Sequence, residues 1–361
     1  MTFLPDCSFA GEQFPGLLDE LEARAAELEL NPEGWPGEQF QQLARTGVLG
    51  WVIPEEWGGS EISSAELTRG YFALSSVCLT TAFVLTQRNG ACQRIAGSNN
   101  EPLKSELLPD LCAGRTFATV GISHLTTSRQ HLDRPTVRVE KVGGQFRFEG
   151  TIPWVTGADH AEWIVTGGTC EDGRQLLAVI DTRDDSVKVN PPPRLLSMNA
   201  SRTGSVDLNG VMVSESRLIA GPVPEVMKQG VGGKTGSLTT SALAAGASAG
   251  TLKRFSEEAK HRPDLQESFQ PLASELESLT HEILQMSEGN PSSGETPQTI
   301  RQKANSLVLR TSQAYLGAAK GAGFVHGHPA ERAVREAMFF LVWSCPQPVL
   351  AAALREFACI G

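Results

Sequence analysis

The chain has 361 residues, a formal net charge of −10, 40% hydrophobic residues and 20% charged residues. This composition is too apolar for a disordered chain, and an acidic balance without any block of Lys and Arg argues against nucleic acid as a partner. The length predicts two or three domains, with ample chain to build an apolar core.

The first third of the chain shows helical periodicity. Apolar residues recur at helical spacing after Gly11, and Gly and Pro residues punctuate the segments between the helices. The first residues contain no basic region followed by an apolar run, so no signal peptide is expected. The predicted helices are 11–30, 37–46, 64–89 and 101–113.

The middle of the chain changes to an alternating pattern. The segments 136–140 and 145–149 alternate in polarity on either side of Gly143 and Gly144, which predicts a β-hairpin. The short, evenly spaced strands predict a barrel or sandwich of roughly 100 residues. The further strand candidates are 163–165, 176–180, 187–189 and 205–208.

Helical periodicity returns after about residue 230, with predicted helices at 238–259, 272–286, 299–320 and 330–343 and a short last helix to Ala358. The uncharged run 337–354 contains Pro346 and Pro348, so we expect a buried helix pair there and no membrane span. The order of the elements predicts a helical domain at 1–116, a β domain at 117–222 and a helical bundle at 223–361.

The cysteines indicate neither a zinc ribbon nor a disulfide framework, because their number is odd and no pair has CxxC spacing. Reduced thiols in a cytoplasmic protein fit this pattern best. His326 and His328 have H-x-H spacing, but two ligands without a nearby third are a weak metal signal, and no metal is predicted. The seven cysteines are Cys7, Cys78, Cys92, Cys112, Cys170, Cys345 and Cys359.

Five segments, in order along nearly the whole chain, carry a family resemblance. They are Gly50–Gly59 (GWVIPEEWGG), Leu107–Gly114 (LLPDLCAG), Phe148–Ala158 (FEGTIPWVTGA), Ser201–Val213 (SRTGSVDLNGVMV), and Gly321–Phe324 followed by Pro329–Ala337 (GAGF, PAERAVREA). Together they resemble the acyl-CoA dehydrogenase superfamily of flavoproteins.

The resemblance implies an α+β multidomain fold with an N-terminal helical domain, a middle β-barrel and a C-terminal four-helix bundle. It implies FAD between the barrel and the bundle, a small-molecule substrate such as an acyl-CoA, and a homodimer or homotetramer. The family reaction removes a proton beside a thioester carbonyl and passes a hydride to flavin N5.

The resemblance also implies cofactor contacts. Trp154 and Thr156 match positions that pack against the flavin ring and donate a hydrogen bond near N5; alternatively, Trp154 is a core residue of the barrel. Gly321 and Gly323 would allow close backbone approach, or simply tight helix packing. The segment at the family's pyrophosphate position has lost the family's acid and glycines. Its remaining hydroxyls could bind the pyrophosphate, or the segment could be an ordinary hydroxyl-rich loop. The hydroxyl residues are Ser123, Thr126, Thr127 and Ser128.

The largest departure from the family pattern is the missing base. Ser344 stands where the dehydrogenases have their catalytic Glu, and the other known position for it, within 238–242, also lacks a carboxylate. A serine hydroxyl cannot act unaided as a base near neutral pH. Cys345 and His124 are weak replacement candidates; the alternatives are a structural thiol and a solvated loop histidine.

Three functions remain open on the sequence. The first is an FAD-dependent oxidoreductase that oxidises an acyl thioester or related metabolite with a non-standard base. The second is a flavin monooxygenase of the same fold, and the third is a non-catalytic subunit of a hetero-oligomeric dehydrogenase.

Overall fold

The computed structural model describes residues 3–126, 134–229, 237–260 and 262–360. Within these ranges a helical region, a sheet region and a second helical region follow one another, as predicted. Leu17, Leu21 and Leu28 form the buried stripe of the first helix. The N-terminal helices are α1 Phe14–Leu30, α2 Gly37–Arg45, α3 Ser64–Val77, α4 Leu79–Ala96 and α5 Glu101–Cys112.

The single helix predicted over 64–89 is wrong, because α3 and α4 are separated at Cys78. This residue has an extended backbone, with φ −149° and ψ 98°. The run 71–89 has no Gly or Pro that would mark the break, so only tertiary packing reveals it. The beginning of α3 does carry a local signal, since Ser63 and Glu66 form a reciprocal capping box.

Arg88 on α4 ties this helix to two neighbouring segments. Its side chain is fully buried and donates hydrogen bonds to the backbone oxygens of Leu49 and Leu111. Those carbonyls lie at the ends of the turn Val48–Gly50 and of α5, where helical carbonyls lack partners within the helix. Two nitrogens of this buried guanidinium are therefore bonded to carbonyls at helix ends.

The middle region is one mixed sheet. β1 and β2 run parallel to β4, and the other pairs are antiparallel, in the order β6-β7-β3-β2-β4-β5-β8 with β1 beside β4. The strands are β1 Ala118–Gly121, β2 Val137–Val142, β3 Gln145–Val155, β4 Trp163–Cys170, β5 Gln175–Asp181, β6 Val187–Val189, β7 Gly204–Val213 and β8 Leu218–Val223. The four-residue helix α6 Ser123–Thr126 follows β1.

The predicted hairpin is confirmed, and the predicted closure of the barrel is not. Val142 pairs with Gln145 across Gly143 and Gly144, whose φ angles of 56° and 84° suit a tight hairpin turn. Among the described strands, β6 and β8 end the pairing order, so the sheet stays open. The prolines at 191–193 follow β6 closely and have no N–H groups with which to extend it.

The C-terminal helices pack mainly on the N-terminal helices. One apolar core joins α1, α3 and α4 to the C-terminal helices, a second fills the sheet interior, and a third lies between α4, α5 and the strands β1, β4 and β5. None of the helices in the described ranges combines the length and apolar character needed to cross a bilayer. The C-terminal helices are α7 Ser237–Lys260, α8 Gln266–Ser287, α9 Pro297–Gly323, α10 Pro329–Met338 and α11 Gln347–Phe357.

Candidate functional site

Trp154 lies at an irregularity of β3 that turns its side chain outward. Ile152 pairs with Val206 and Val155 pairs with Gly204, so β3 has one residue more than β7 between these pairs. This is a β-bulge, an irregularity that changes the direction in which side chains point and is common next to active sites. The Trp154 side chain is 48% exposed between buried neighbours. It is therefore not a core residue of the sheet in this chain.

Thr156 directly follows β3 and ends a chain of three hydroxyls. Its Oγ1 lies 3.0 Å from Thr203 Oγ1, which lies 2.8 Å from Ser201 Oγ. Each hydroxyl has one hydrogen to donate, so donation from Ser201 to Thr203 and from Thr203 to Thr156 leaves the Thr156 proton available to a further acceptor. Sequence reasoning assigned no role to Thr203 or Ser201, although both lie in a family-like motif.

The predicted pyrophosphate segment is only partly described. Ser123 begins α6, and its Oγ is buried without a hydrogen-bond partner in the described part of the chain. An orphaned buried hydroxyl fits a segment that contacts a polar ligand. Thr126 is exposed, and its hydroxyl bonds back to the carbonyl oxygens of Ile122 and Ser123. Thr127 and Ser128 lie outside the described residues.

His124 is buried instead of solvated. Its Nε2 lies 2.9 Å from the Gly167 carbonyl oxygen, which places the ring against β4. Burial lowers the pKa of the imidazole, and the contact with Gly167 opposes this effect. The Gly167 contact occupies Nε2, and the other ring nitrogen, Nδ1, is buried within the chain, so the imidazole does not present a proton acceptor at an accessible surface.

The segment at the family's base position lies on the surface of the chain. Ser344 is exposed and has a positive φ of 43°. Cys345 is half-buried, and burial raises the pKa of its thiol despite the opposing charge of Arg301. The buried Arg301 guanidinium donates to the Trp343 carbonyl oxygen at 3.1 Å. Neither Ser344 nor Cys345 is therefore an activated base.

Phe83 and Leu85 on α4 belong to the core. Phe83 is 3% exposed, and its ring makes edge contacts with Phe339 and Trp343, both with centroids at 4.8 Å. Phe339 and Trp343 stack on each other at 5.0 Å. Leu85 is fully buried as well. This aromatic cluster occupies the space between α4 and the segment that follows α10.

The end of α9 and the next turn have internal structural roles. A β-carbon at Gly321 would meet nothing within 4 Å, whereas one at Gly323 would lie 2.8 Å from the Ala319 β-carbon. Of these two positions, only 323 requires a glycine for packing within the chain. His326 Nδ1 lies 3.3 Å from a Glu331 carboxylate oxygen, and His328 Nδ1 accepts the Ala330 amide at 3.1 Å as the N-cap of α10.

Glu336 on α10 faces a small polar cavity of about 20 Å³ between α3, α7 and α10. Its nearest cation is Arg332, with 3.8 Å from Nε to the carboxylate. Burial raises the pKa of Glu336 to about 7, and Arg332 offsets only part of this effect. Glu336 is thus a buried acid whose pKa lies well above that of an exposed carboxyl.

This pKa predicts how stability depends on pH. Between pH 4.5 and about 7 the folded chain keeps the Glu336 proton and the unfolded chain loses it, so the free energy of unfolding falls as pH rises. We expect Glu336→Gln to remove that loss, which at pH 8 is at most about 3 kcal/mol. Urea titrations at pH 5 and pH 8 measure it, with the exposed Glu277→Gln as control. A pH dependence identical to wild type would contradict the assignment.

Comparisons with known proteins agree with this fold. Residues 17–115 match the family model described as acyl-CoA dehydrogenase, N-terminal domain. The pigment production hydroxylase of Rhodococcus sp. (strain ATCC 21145) is 27% identical over 186 residues, which are 50% of this chain and 43% of that protein. The chain thus matches less than half of that relative's length.

Two solved structures share the fold over nearly the whole chain. The glutaryl-coenzyme A dehydrogenase glutaryl-CoA complex superposes with a TM-score of 0.80 at 17% identity, covering 97% of this chain and 96% of that chain. TdsC from Paenibacillus sp. A11-2, solved with FMN and indole, superposes with a TM-score of 0.78 at 16% identity, covering 94% of each chain. TdsC is a dibenzothiophene monooxygenase, so proteins of both dehydrogenase and oxygenase type are similar to this chain in fold.

Proposed function

The chain belongs to the acyl-CoA dehydrogenase superfamily, and on that premise we propose that it is a flavin-dependent oxidoreductase that works without the superfamily's carboxylate base. FAD is the cofactor that the resemblance implies, and FMN is the alternative because TdsC was solved with it. The observation that carries the proposal is the outward Trp154 beside the hydroxyl chain that ends at Thr156.

These residues suit a flavin ring in shape and polarity. The exposed Trp154 indole offers a flat apolar face for stacking, and the Thr156 hydroxyl offers a donor whose direction is set by Thr203. The orphaned Ser123 hydroxyl offers a further partner on the segment after β1. A bound flavin would supply hydride acceptance or, once reduced, the activation of dioxygen.

Of these two chemistries, oxygenation with reduced flavin fits the chain better. Dehydrogenation of an acyl thioester needs a base at the substrate's α-carbon, and Ser344, Cys345 and His124 do not provide one. Oxygenation asks the protein chiefly to hold the substrate and to exclude water. The similarity to a hydroxylase and to TdsC supports the same choice.

Dehydrogenation with a relocated base remains the second candidate, because the N-terminal domain matches the dehydrogenase model. The third candidate is a non-catalytic subunit of a hetero-oligomeric dehydrogenase. The absence of a carboxylate at 344 and within 238–242 favours it over an acyl-CoA dehydrogenase. The exposed Trp154 favours a flavin protein over this third candidate.

Two assays on flavin-loaded protein separate these functions. Under anaerobic conditions, butyryl-CoA and octanoyl-CoA are expected to leave the absorbance of the bound flavin unchanged, because no base is available. With externally reduced flavin in air, the protein is expected to oxidise indole, used as a probe, and the product is measured by chromatography. Bleaching by either acyl-CoA would replace this proposal with the dehydrogenase.

A further inference from the structure

The loop 195–203, between β6 and β7, has an unusual backbone. Met198 and Arg202 are both in the left-handed region, with φ of 57° and 50°, on either side of the turn Asn199–Ser201. For residues other than glycine this conformation costs roughly 1 kcal/mol each and persists where surrounding groups hold it. The contacts of this loop therefore show what determines its shape.

Two helices hold the first half of the loop. Glu29, on the last turn of α1, is 7% exposed, and both of its carboxylate oxygens accept the Met198 amide, at 3.1 and 3.2 Å. Glu29 also pairs with Arg335 on α10, with 2.6 Å between Nη1 and Oε1. Arg335 Nη1 donates to the Leu196 carbonyl oxygen at 3.1 Å, and the Arg335 carbonyl oxygen accepts the Ser197 hydroxyl at 3.2 Å.

The second half of the loop is joined to the candidate flavin site. The carbonyl oxygens of Ser201 and Arg202 accept the amide of Gly157, at 2.9 and 3.1 Å, and Gly157 directly follows Thr156. The Arg202 side chain is held by Asp159 and by Glu33, at 2.8 and 3.0 Å. The loop thus transmits its position to the backbone that carries the Thr156 hydroxyl.

We propose that Glu29 and Arg335 are positioning residues of the flavin site. Their ion pair, in which Glu29 is buried and Arg335 is partly exposed, fixes the left-handed turn at Met198. The turn places Ser201 and Thr203 so that the Thr156 hydroxyl points toward the cofactor. A threonine hydroxyl rotates freely unless a partner fixes it, so the direction of this donor depends on the loop. The inference rests on the proposed function, because it gives the hydroxyl a flavin partner.

The variant Glu29→Gln tests this pair with minimal change of shape. In this variant an NH₂ group replaces one of the carboxylate oxygens that now accept hydrogen bonds from the Met198 amide and the Arg335 guanidinium. The new NH₂ donor then faces one of these two donors, and that hydrogen bond is lost. Glu27→Gln is the matched control, because Glu27 is an exposed residue on the same helix. Arg335→Lys is a milder second variant, which keeps the charge and loses the forked guanidinium.

Two readouts are taken on each variant. The first is hydrogen exchange of flavin-free protein in peptides covering 154–158 and 195–203, compared with peptides from β4. The second is the affinity for FAD and the position of the bound flavin's absorption bands. For Glu29→Gln we expect exchange about tenfold faster in those two peptides alone, and a flavin Kd about tenfold higher with shifted bands. Arg335→Lys should give a smaller change in the same direction.

The outcomes distinguish the inference from the proposed function. If wild-type protein binds flavin and Glu29→Gln leaves the Kd and the bands unchanged, the inference is overturned and the proposed function stands. Unchanged exchange at 154–158 also overturns it. If the wild-type protein binds no flavin, the proposed function fails first, and the flavin role of Glu29 and Arg335 fails with it.

Discussion

Trp154→Ala is expected to weaken flavin binding by roughly 10- to 100-fold, the largest functional loss that a single replacement should cause. About half of the indole is exposed at the bulge in β3, so its face is available to a planar ligand without rearrangement of the sheet. Burying that face against a flavin ring would be worth a few kcal/mol from apolar area and stacking together, about the size of the expected loss. Quenching of flavin fluorescence on titration with protein measures the change.

Met212→Ala is the matched control for this replacement. Met212 is 41% exposed on β7, where it pairs with Arg147 on the solvent face of the same two strands. It is a large exposed apolar side chain away from the bulge, so its loss should leave the flavin Kd within about twofold of wild type. Equal effects of the two variants would mean that Trp154 has no specific contact with the cofactor.

Gly250→Ala is expected to destabilise the chain by about 3 kcal/mol or more. The helices α3 and α7 approach so closely that a β-carbon at Gly250 would overlap the Ser76 carbonyl oxygen, and one at Gly246 would overlap the Ser75 hydroxyl and the Phe72 carbonyl oxygen. The atoms in the way are mostly backbone, which cannot rotate aside. Denaturant unfolding monitored by circular dichroism measures the loss.

Gly317→Ala provides the opposite control. Gly317 lies within α9, and a β-carbon there would meet nothing within 4 Å. Alanine in an open helical position should stabilise the chain by roughly 0.5–1 kcal/mol, because it reduces the freedom of the unfolded state. If Gly250→Ala left the free energy of unfolding as high as Gly317→Ala does, α3 and α7 would not pack as closely as described.

Much of the fold follows from local sequence patterns. The stripe of α1 and the turn at Gly143 and Gly144 are encoded by periodicity and by residues that accept positive φ, and both predictions are confirmed. The break at Cys78 and the short strands β1 and β8 carry no such signal. They depend on neighbours distant in sequence, for instance β4 for β1.

The candidate site shows the same division between local and distant information. Trp154 and Thr156 could be proposed because a motif surrounds them, but their surroundings could not. The hydroxyl of Thr156 is hydrogen-bonded to that of Thr203, and the loop that carries Thr203 is held by Glu29, which is 169 residues from its bond partner Met198. A contact across that distance leaves no trace in spacing or periodicity.

His124 illustrates how a loop residue can be misjudged from sequence. A lone histidine in a predicted loop indicates a solvated side chain or a weak candidate base. The structure instead buries the ring of His124, on the short helix α6, against the Gly167 carbonyl oxygen of β4. The absence of carboxylates at 344 and within 238–242, by contrast, can be seen directly in the sequence.

The central claim is that this chain binds a flavin at Trp154 and Thr156, and the visible absorption spectrum tests it most directly. Purified protein is incubated with FAD or FMN, freed of unbound flavin by gel filtration, and its spectrum is recorded. We expect the absorption bands of oxidised flavin at a stoichiometry of about one per chain, as for a resident cofactor. A colourless protein with both flavins would contradict the account.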